Sequence, residues 1–167
     1  MKDDIISSLI NVLKKEYKYH QKLCETARAK KEVIIENKIK DLSEIIEKEK
    51  VLLSDLNELE DNRSQYLDLI STEYNLESNP PQYNILKKEL DSSQKNELKD
   101  IREKLLKVIE ELQSINQENK ILLEEAIKLN NFSFELIANS LEPENNIYDK
   151  NTTKKDKKVK NIIDRKA

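Results

Sequence analysis

Glycine and tryptophan are absent from this chain of 167 residues, while cysteine occurs once, phenylalanine twice and proline three times. Each scarcity excludes something. Sheets joined by tight turns, and the phosphate-cradling loops of nucleotide enzymes, rely on glycine for positive φ and close backbone approach, so neither is expected. The lone Cys24 cannot form an intramolecular disulfide and fits a reducing compartment. His20 and Cys24 share a helix face at a spacing of four, but no other His or Cys exists to complete a zinc site, and a di-metal carboxylate bundle would need two Glu-x-x-His motifs. The pair reads as seam filling, with no metal and no cofactor called for. Nothing marks a nucleophile with a pocket or an oxyanion hole, so an enzyme is not expected. No run approaches the ~20 apolar residues that cross a bilayer. The uncharged stretch Ile5 to Leu13 is broken by Ser7, Ser8 and Asn11 and lacks a small-residue cleavage site. The expected location is the cytoplasm, without stable membrane insertion.

What is present is charge and helical periodicity. Charged residues make up 38% of the chain and hydrophobic ones 37%, with a mean hydropathy of -0.81. Such a chain fills narrow seams between long helices rather than a broad core. The net charge is -3, which gives the body no attraction for nucleic acid. Residues 142–167 hold eight Lys or Arg against five Asp or Glu, a net of +3 that leaves -6 on residues 1–141. That end is too poor in apolar residues to fold alone and is expected to be a flexible, disordered basic tail.

Three helices are predicted, at about 3–36, 39–73 and 82–141. In the first, Ile6, Ile10, Leu13, Tyr17, His20, Cys24, Ala27 and Ile34 recur at helical spacing, widened by Leu9 and Leu23. The phase breaks at Asn37, a residue suited to ending one helix or starting the next. In the second, Ile39, Leu42, Ile46, Leu53, Leu56, Leu59, Tyr66, Leu67 and Ile70 recur. Ser78-Asn79-Pro80-Pro81 then forbids any helix. The third begins near Gln82, has a weak point at Asp91-Ser92-Ser93, and runs to Pro143. One connection is very short and the other has about eight residues, so antiparallel neighbours are the natural packing. The fold class is therefore all-α: an elongated antiparallel three-helix bundle or coiled coil, residues 1–141, whose longer third helix projects beyond the others.

The third helix carries two apolar stripes at its end, where packing on one side needs only one. One stripe continues Ile101, Leu105, Val108, Leu112 and Ile115 into Leu122, Ala126, Leu129 and Leu136. The other is Leu123, Ile127, Phe134, Ile137 and Leu141, on a face that is polar upstream at Gln113, Asn116 and Lys120 and briefly apolar before that at Leu106 and Ile109. A locally widened apolar arc is either a thicker core or a surface for a partner, and these five residues are the candidate binding surface. Two further residues bear on register. Arg63, between Leu59 and Tyr66, either pairs with an acid on a neighbouring helix or snorkels into water. Asn119 stands at a seam position, where a polar residue specifies alignment. Tyr148 is the only aromatic in the tail.

The segment Asn116-Gln117-Glu118-Asn119-Lys120-Ile121-Leu122-Leu123, followed by Leu129, Phe134, Leu136 to Leu141 and Tyr148, resembles the C-terminal part of the FlgN family of flagellar export chaperones. Upstream, the helix end near Asn37, then Leu42, Glu49-Lys50-Val51-Leu52-Leu53, and Arg63 before Tyr66-Leu67 fit the same order of elements. The likeness spans about residues 5–148, and the chain departs from it in lacking a glycine near Tyr148 and in its lysine-rich extension. The resemblance implies a cytoplasmic chaperone without ATPase activity. It would hold the hook-filament junction proteins, the hook-associated proteins FlgK and FlgL, by their terminal amphipathic segments. It would deliver them to the export gate, with Tyr148 in the region that contacts FlhA. The alternative from the residues alone is a coiled-coil scaffold or homo-oligomer in which the second stripe meets a copy of itself.

Overall fold

The computed structural model describes residues 2–76, 78 and 80–140. Among them are four helices and no strand: α1 Lys2–Ile35, α2 Ile39–Glu73, α3 Tyr83–Glu89 and α4 Ser92–Ser140. The chain divides into two compact units, 1–130 and 131–167. The described residues of the second are the helical 131–140.

With no glycine to spare, asparagine ends the two long N-terminal helices. Asn37 sits at φ 55 and Asn75 at φ 50, the left-handed region that asparagine tolerates better than most side chains. After α1, the Asn37 amide donates to Ile34 O at 3.1 Å and the Lys38 amide to Val33 O at 3.0 Å. After α2, the Asn75 amide donates to Thr72 O at 3.3 Å and the Leu76 amide to Ser71 O at 2.9 Å. Both are Schellman closures, which satisfy carbonyls that a helix end otherwise leaves open. The second also tucks Leu76 against the core. Hence α2 stops at Glu73, before the prolines are reached.

The single third helix expected over 82–141 is two helices. The chain is extended at Leu90, with φ -92 and ψ 152, and restarts through a reciprocal cap. The Gln94 amide donates to Asp91 Oδ1 at 2.9 Å, and the Asp91 amide donates to Gln94 Oε1 at 3.3 Å. This capping box makes Asp91 a helix start rather than a weak interior position. The break also turns Leu86 and Leu90 inward, where each is 3% exposed, into a cluster with Leu9 and Ile10 of α1, Ile70 of α2 and Leu98 and Ile101 of α4. Each such side chain contributes about 1.5–3 kcal/mol through burial.

Two ion pairs define how α1 lies against α2. Arg63 Nη1 donates to Glu16 Oε2 at 2.7 Å, and Lys30 Nζ donates to both Glu49 oxygens at 2.7 and 2.6 Å. Rising numbers on α1 meet falling numbers on α2, so the two run antiparallel. The same register sets Leu9 level with Ile70 and Leu23 level with Leu56. Apolar and ionic layers therefore alternate at intervals of seven, with Leu9, Glu16, Leu23 and Lys30 on one helix and Ile70, Arg63, Leu56 and Glu49 on the other. Glu16 is the charged member that the periodicity left unnoticed, and it is only 2% exposed. Burial raises its carboxyl above the ordinary 4.5, while the Arg63 guanidinium opposes that rise and Glu60 adds to it.

α4 lies parallel to α1. Lys14 pairs with Glu97 at 3.0 Å, Arg28 with Glu111, and Lys31 with Glu118 at 2.6 Å. These pairs are exposed and each is worth at most about 1 kcal/mol. Alignment is set more firmly inside the seam, where Asn119 Nδ2 donates to Ala27 O at 2.7 Å and the Cys24 thiol to Val108 O at 3.6 Å. Asn119 is buried, and its Oδ1 has no hydrogen-bond partner among the described residues.

Two outcomes are expected from these constraints. Replacing Asn37 or Asn75 by valine should lower stability by about 1–2 kcal/mol, the cost of a β-branched residue in the left-handed region. Asn37→Gly should cost nothing; urea midpoints at unchanged slope measure both. Arg63→Met should cost about 3 kcal/mol, because it strands the Glu16 carboxylate in the interface. A carboxyl whose folded-state pKa is raised favours folding at low pH and loses that contribution as pH rises through it. The Arg63→Met deficit should therefore narrow as pH falls from neutrality towards 4.5, the ordinary value of a glutamate. A deficit that is flat with pH would refute the stranded-charge account.

Candidate functional site

The seam stripe of α4 is buried at Leu98, Ile101, Leu105 and Val108, half-buried at Leu112, Ile115, Leu122 and Ala126, and exposed at Leu129 and Leu136. On the neighbouring stripe Leu123, Ile127, Phe134 and Ile137 are 40–70% exposed, Phe134 the most. Past Ala126, therefore, the described apolar residues of both stripes are exposed. Leu141 and Tyr148 lie outside the described residues.

Leu123 and Ile127 stand at an open groove between helices. A hollow of about 460 Å³ has Leu23 and Ile34 of α1 as its floor, Leu42, Ile46 and Leu53 of α2 as one wall, and Leu112 and Leu123 of α4 as the other. It adjoins a smaller hollow of about 90 Å³ at the α1–α2 turn, lined by Ile39, Leu42, Leu123 and Ile127. The Lys30–Glu49 pair is set into the groove, and Asn116, Asn119 and Lys120 supply its other polar lining. Helical periodicity alone does not set the α2 wall apart as a site, because it places Ile39, Ile46 and Leu53 on the packing stripe. They are 39–68% exposed, and the face that meets α1 is instead Leu42, Glu49, Leu56, Arg63 and Ile70. Both sets repeat every seven residues, and that doubling in the sequence is the signal for two faces on one helix.

At the other end of the bundle the corresponding space is partly filled by the chain itself. The earlier apolar spot on the second stripe of α4, Leu106 and Ile109, borders a hollow of about 280 Å³ that Tyr83 and Leu86 of α3 also line. The Arg102 guanidinium lies 4.8 Å from the Tyr83 ring centroid and holds α3 against α4.

Two further titratable groups, His20 and Cys24, are shifted by burial. Burial lowers His20 below its ordinary 6.5, with Glu60 opposing and Arg63 adding to the shift. Burial likewise pushes the Cys24 thiol up, away from the thiolate that nucleophilic attack needs. Among the described residues, no three His, Cys, Asp or Glu side chains gather as a metal site, and no helix is long and apolar enough to cross a membrane.

No curated protein and no solved structure matches the chain. A family model does match, that of the FlgN protein, over residues 1–156. That span takes in the α1–α2 hairpin, the α3 break, the whole of α4 and Tyr148. The chain belongs to the FlgN family, whose general role is that of a flagellar export chaperone.

Proposed function

We propose that this protein is a cytoplasmic chaperone for hook-filament junction proteins, FlgK and FlgL in the resemblance already drawn, and that it receives their terminal amphipathic segments on α4. The single observation that supports this reading is the exposure of Leu123, Ile127, Phe134 and Ile137, every described member of the second stripe, on an otherwise heavily charged helix. Leu141 is assigned to the same surface by its spacing. Half-exposed side chains of this size yield roughly 1–2 kcal/mol each when a partner covers them, before ordering and association costs. Holding a cargo helix this way requires no hydrolysis and no cofactor.

In this reading residues 1–141 form the three-long-helix body, Arg63 and Asn119 fix its register, and residues 142–167 are a basic tail. Tyr148 is the docking point for FlhA at the export gate, so cargo and gate occupy different parts of the chain at once.

The purified chain should co-elute with the C-terminal segment of a hook-associated protein on a sizing column with mass detection. Phe134→Asp should abolish that complex while helical content and melting stay unchanged. A homo-oligomer that the same substitution breaks, with no complex by the wild type, would favour a scaffold instead. Tyr148→Ala should leave cargo binding intact and weaken capture by the cytosolic domain of FlhA; capture equal to wild type would remove Tyr148 from the docking role.

A further inference from the structure

The α2 wall of the groove has no role in a reading that places cargo on α4 alone. Its exposed residues Ile39, Ile46 and Leu53 span fourteen helical steps, about 21 Å at the rise of an α-helix. Leu112 to Ile127 on α4 spans a similar length. Such a trough, walled by two helices and floored by a third, is the space a fourth helix would occupy.

We propose that the groove accepts one amphipathic helix of about four turns, apolar towards α2 and α4 and acidic along the edge that meets Lys120. The inference rests on the chaperone reading and names the chemistry of the segment received. α3 supplies the precedent for the apolar face. At the opposite end of the bundle this short helix and the residue that follows it bury Leu86 and Leu90 against α1, α2 and α4, which is the kind of apolar ridge that no described residue supplies at the open end.

Charge supplies the edge. The groove and its adjoining hollow are lined by Lys30, Lys38 and Lys120 against the single acid Glu49. Lys30 is held by Glu49, and Lys38 is held by Glu36 at 2.6 Å. Lys120 has no ion-pair partner among the described residues. An apolar trough with one uncommitted ammonium at its edge complements a helix with an acidic flank and disfavours a basic one at that point, a local preference set against the net charge of -6 on residues 1–141. A partner carboxylate beside Lys120 would be shielded from water by the occupant itself, which strengthens the pair relative to one on an open surface.

The test is a fluorescence-anisotropy titration of the full-length chain with the labelled C-terminal amphipathic segment of a hook-associated protein from the same bacterium. Ile46→Glu and Leu53→Glu should each weaken binding tenfold or more. Lys120→Glu should weaken it several-fold, with recovery when the facing acid of the segment is changed to lysine. Val51→Glu, on another and exposed face of α2, should bind as wild type. Because all four positions are exposed, circular dichroism should be unchanged throughout. Wild-type affinity in the Ile46, Leu53 and Lys120 variants, with binding lost in Phe134→Asp, would overturn the groove and leave the chaperone reading standing. Failure of the wild type to bind the segment would overturn both. Self-association that Ile46→Glu abolishes, without segment binding, would make a second copy the occupant and refute the proposal.

Discussion

The antiparallel register of α1 and α2 is the constraint on which the other features depend, and it is imposed by two ion pairs of opposite polarity. Glu16 on α1 faces Arg63 on α2, and two seven-residue repeats further along Lys30 on α1 faces Glu49 on α2. A slip of one seven-residue repeat would set Glu16 against Leu56 and Lys30 against Leu42, or Glu16 against Ile70 and Lys30 against Leu56. A slip of two would oppose Glu16 to Glu49, or Lys30 to Arg63. Apolar heptads by themselves are indifferent to such slips, since leucine packs on leucine in every repeat. Charge in the seam removes that degeneracy because a misplaced partner leaves a desolvated ion.

With that register set, the rest of the architecture has few choices. The Asn37 closure leaves Ile35 and Ile39 at the rim of the turn, exposed. α4 then finds the second face of α1, with Ala27 small enough for Asn119 to reach its carbonyl. α3 fills the space that opens at the α3–α4 break. None of the described residues fills the equivalent space at the α1–α2 turn, which leaves the groove open between α2 and α4.

Much of this was legible in the residues. The absence of glycine, the helical periodicities and Asn37 located the first two helices to within a residue or so, because long amphipathic repeats state their own period. Arg63 was marked as a candidate for pairing, but its partner was not, since Glu16 looks like any solvent-facing glutamate until it is noticed that it falls seven residues from both Leu9 and Leu23. The division of the third helix was visible as a soft spot at Asp91. Its sharpness depends on a reciprocal cap with Gln94 and on Leu86 and Leu90 finding a core, and the second of these is tertiary. The two faces of α2 were merged for the same reason. Periodicity says that a residue lies on a stripe; only packing says which stripe is covered.

The sequence separation of these contacts has a temporal consequence. Partners in the α1–α2 seam are 19 and 47 residues apart, whereas those joining α1 to α4 are 83 to 92 apart. Loop closure favours the nearer contacts, and synthesis delivers them first. The hairpin is therefore expected to assemble at the ribosome while the α4-facing side of α1, with Cys24 and Ala27, still lies open. Until α4 emerges, the nascent chain displays for itself the same kind of unfinished helical seam that a chaperone exists to cover.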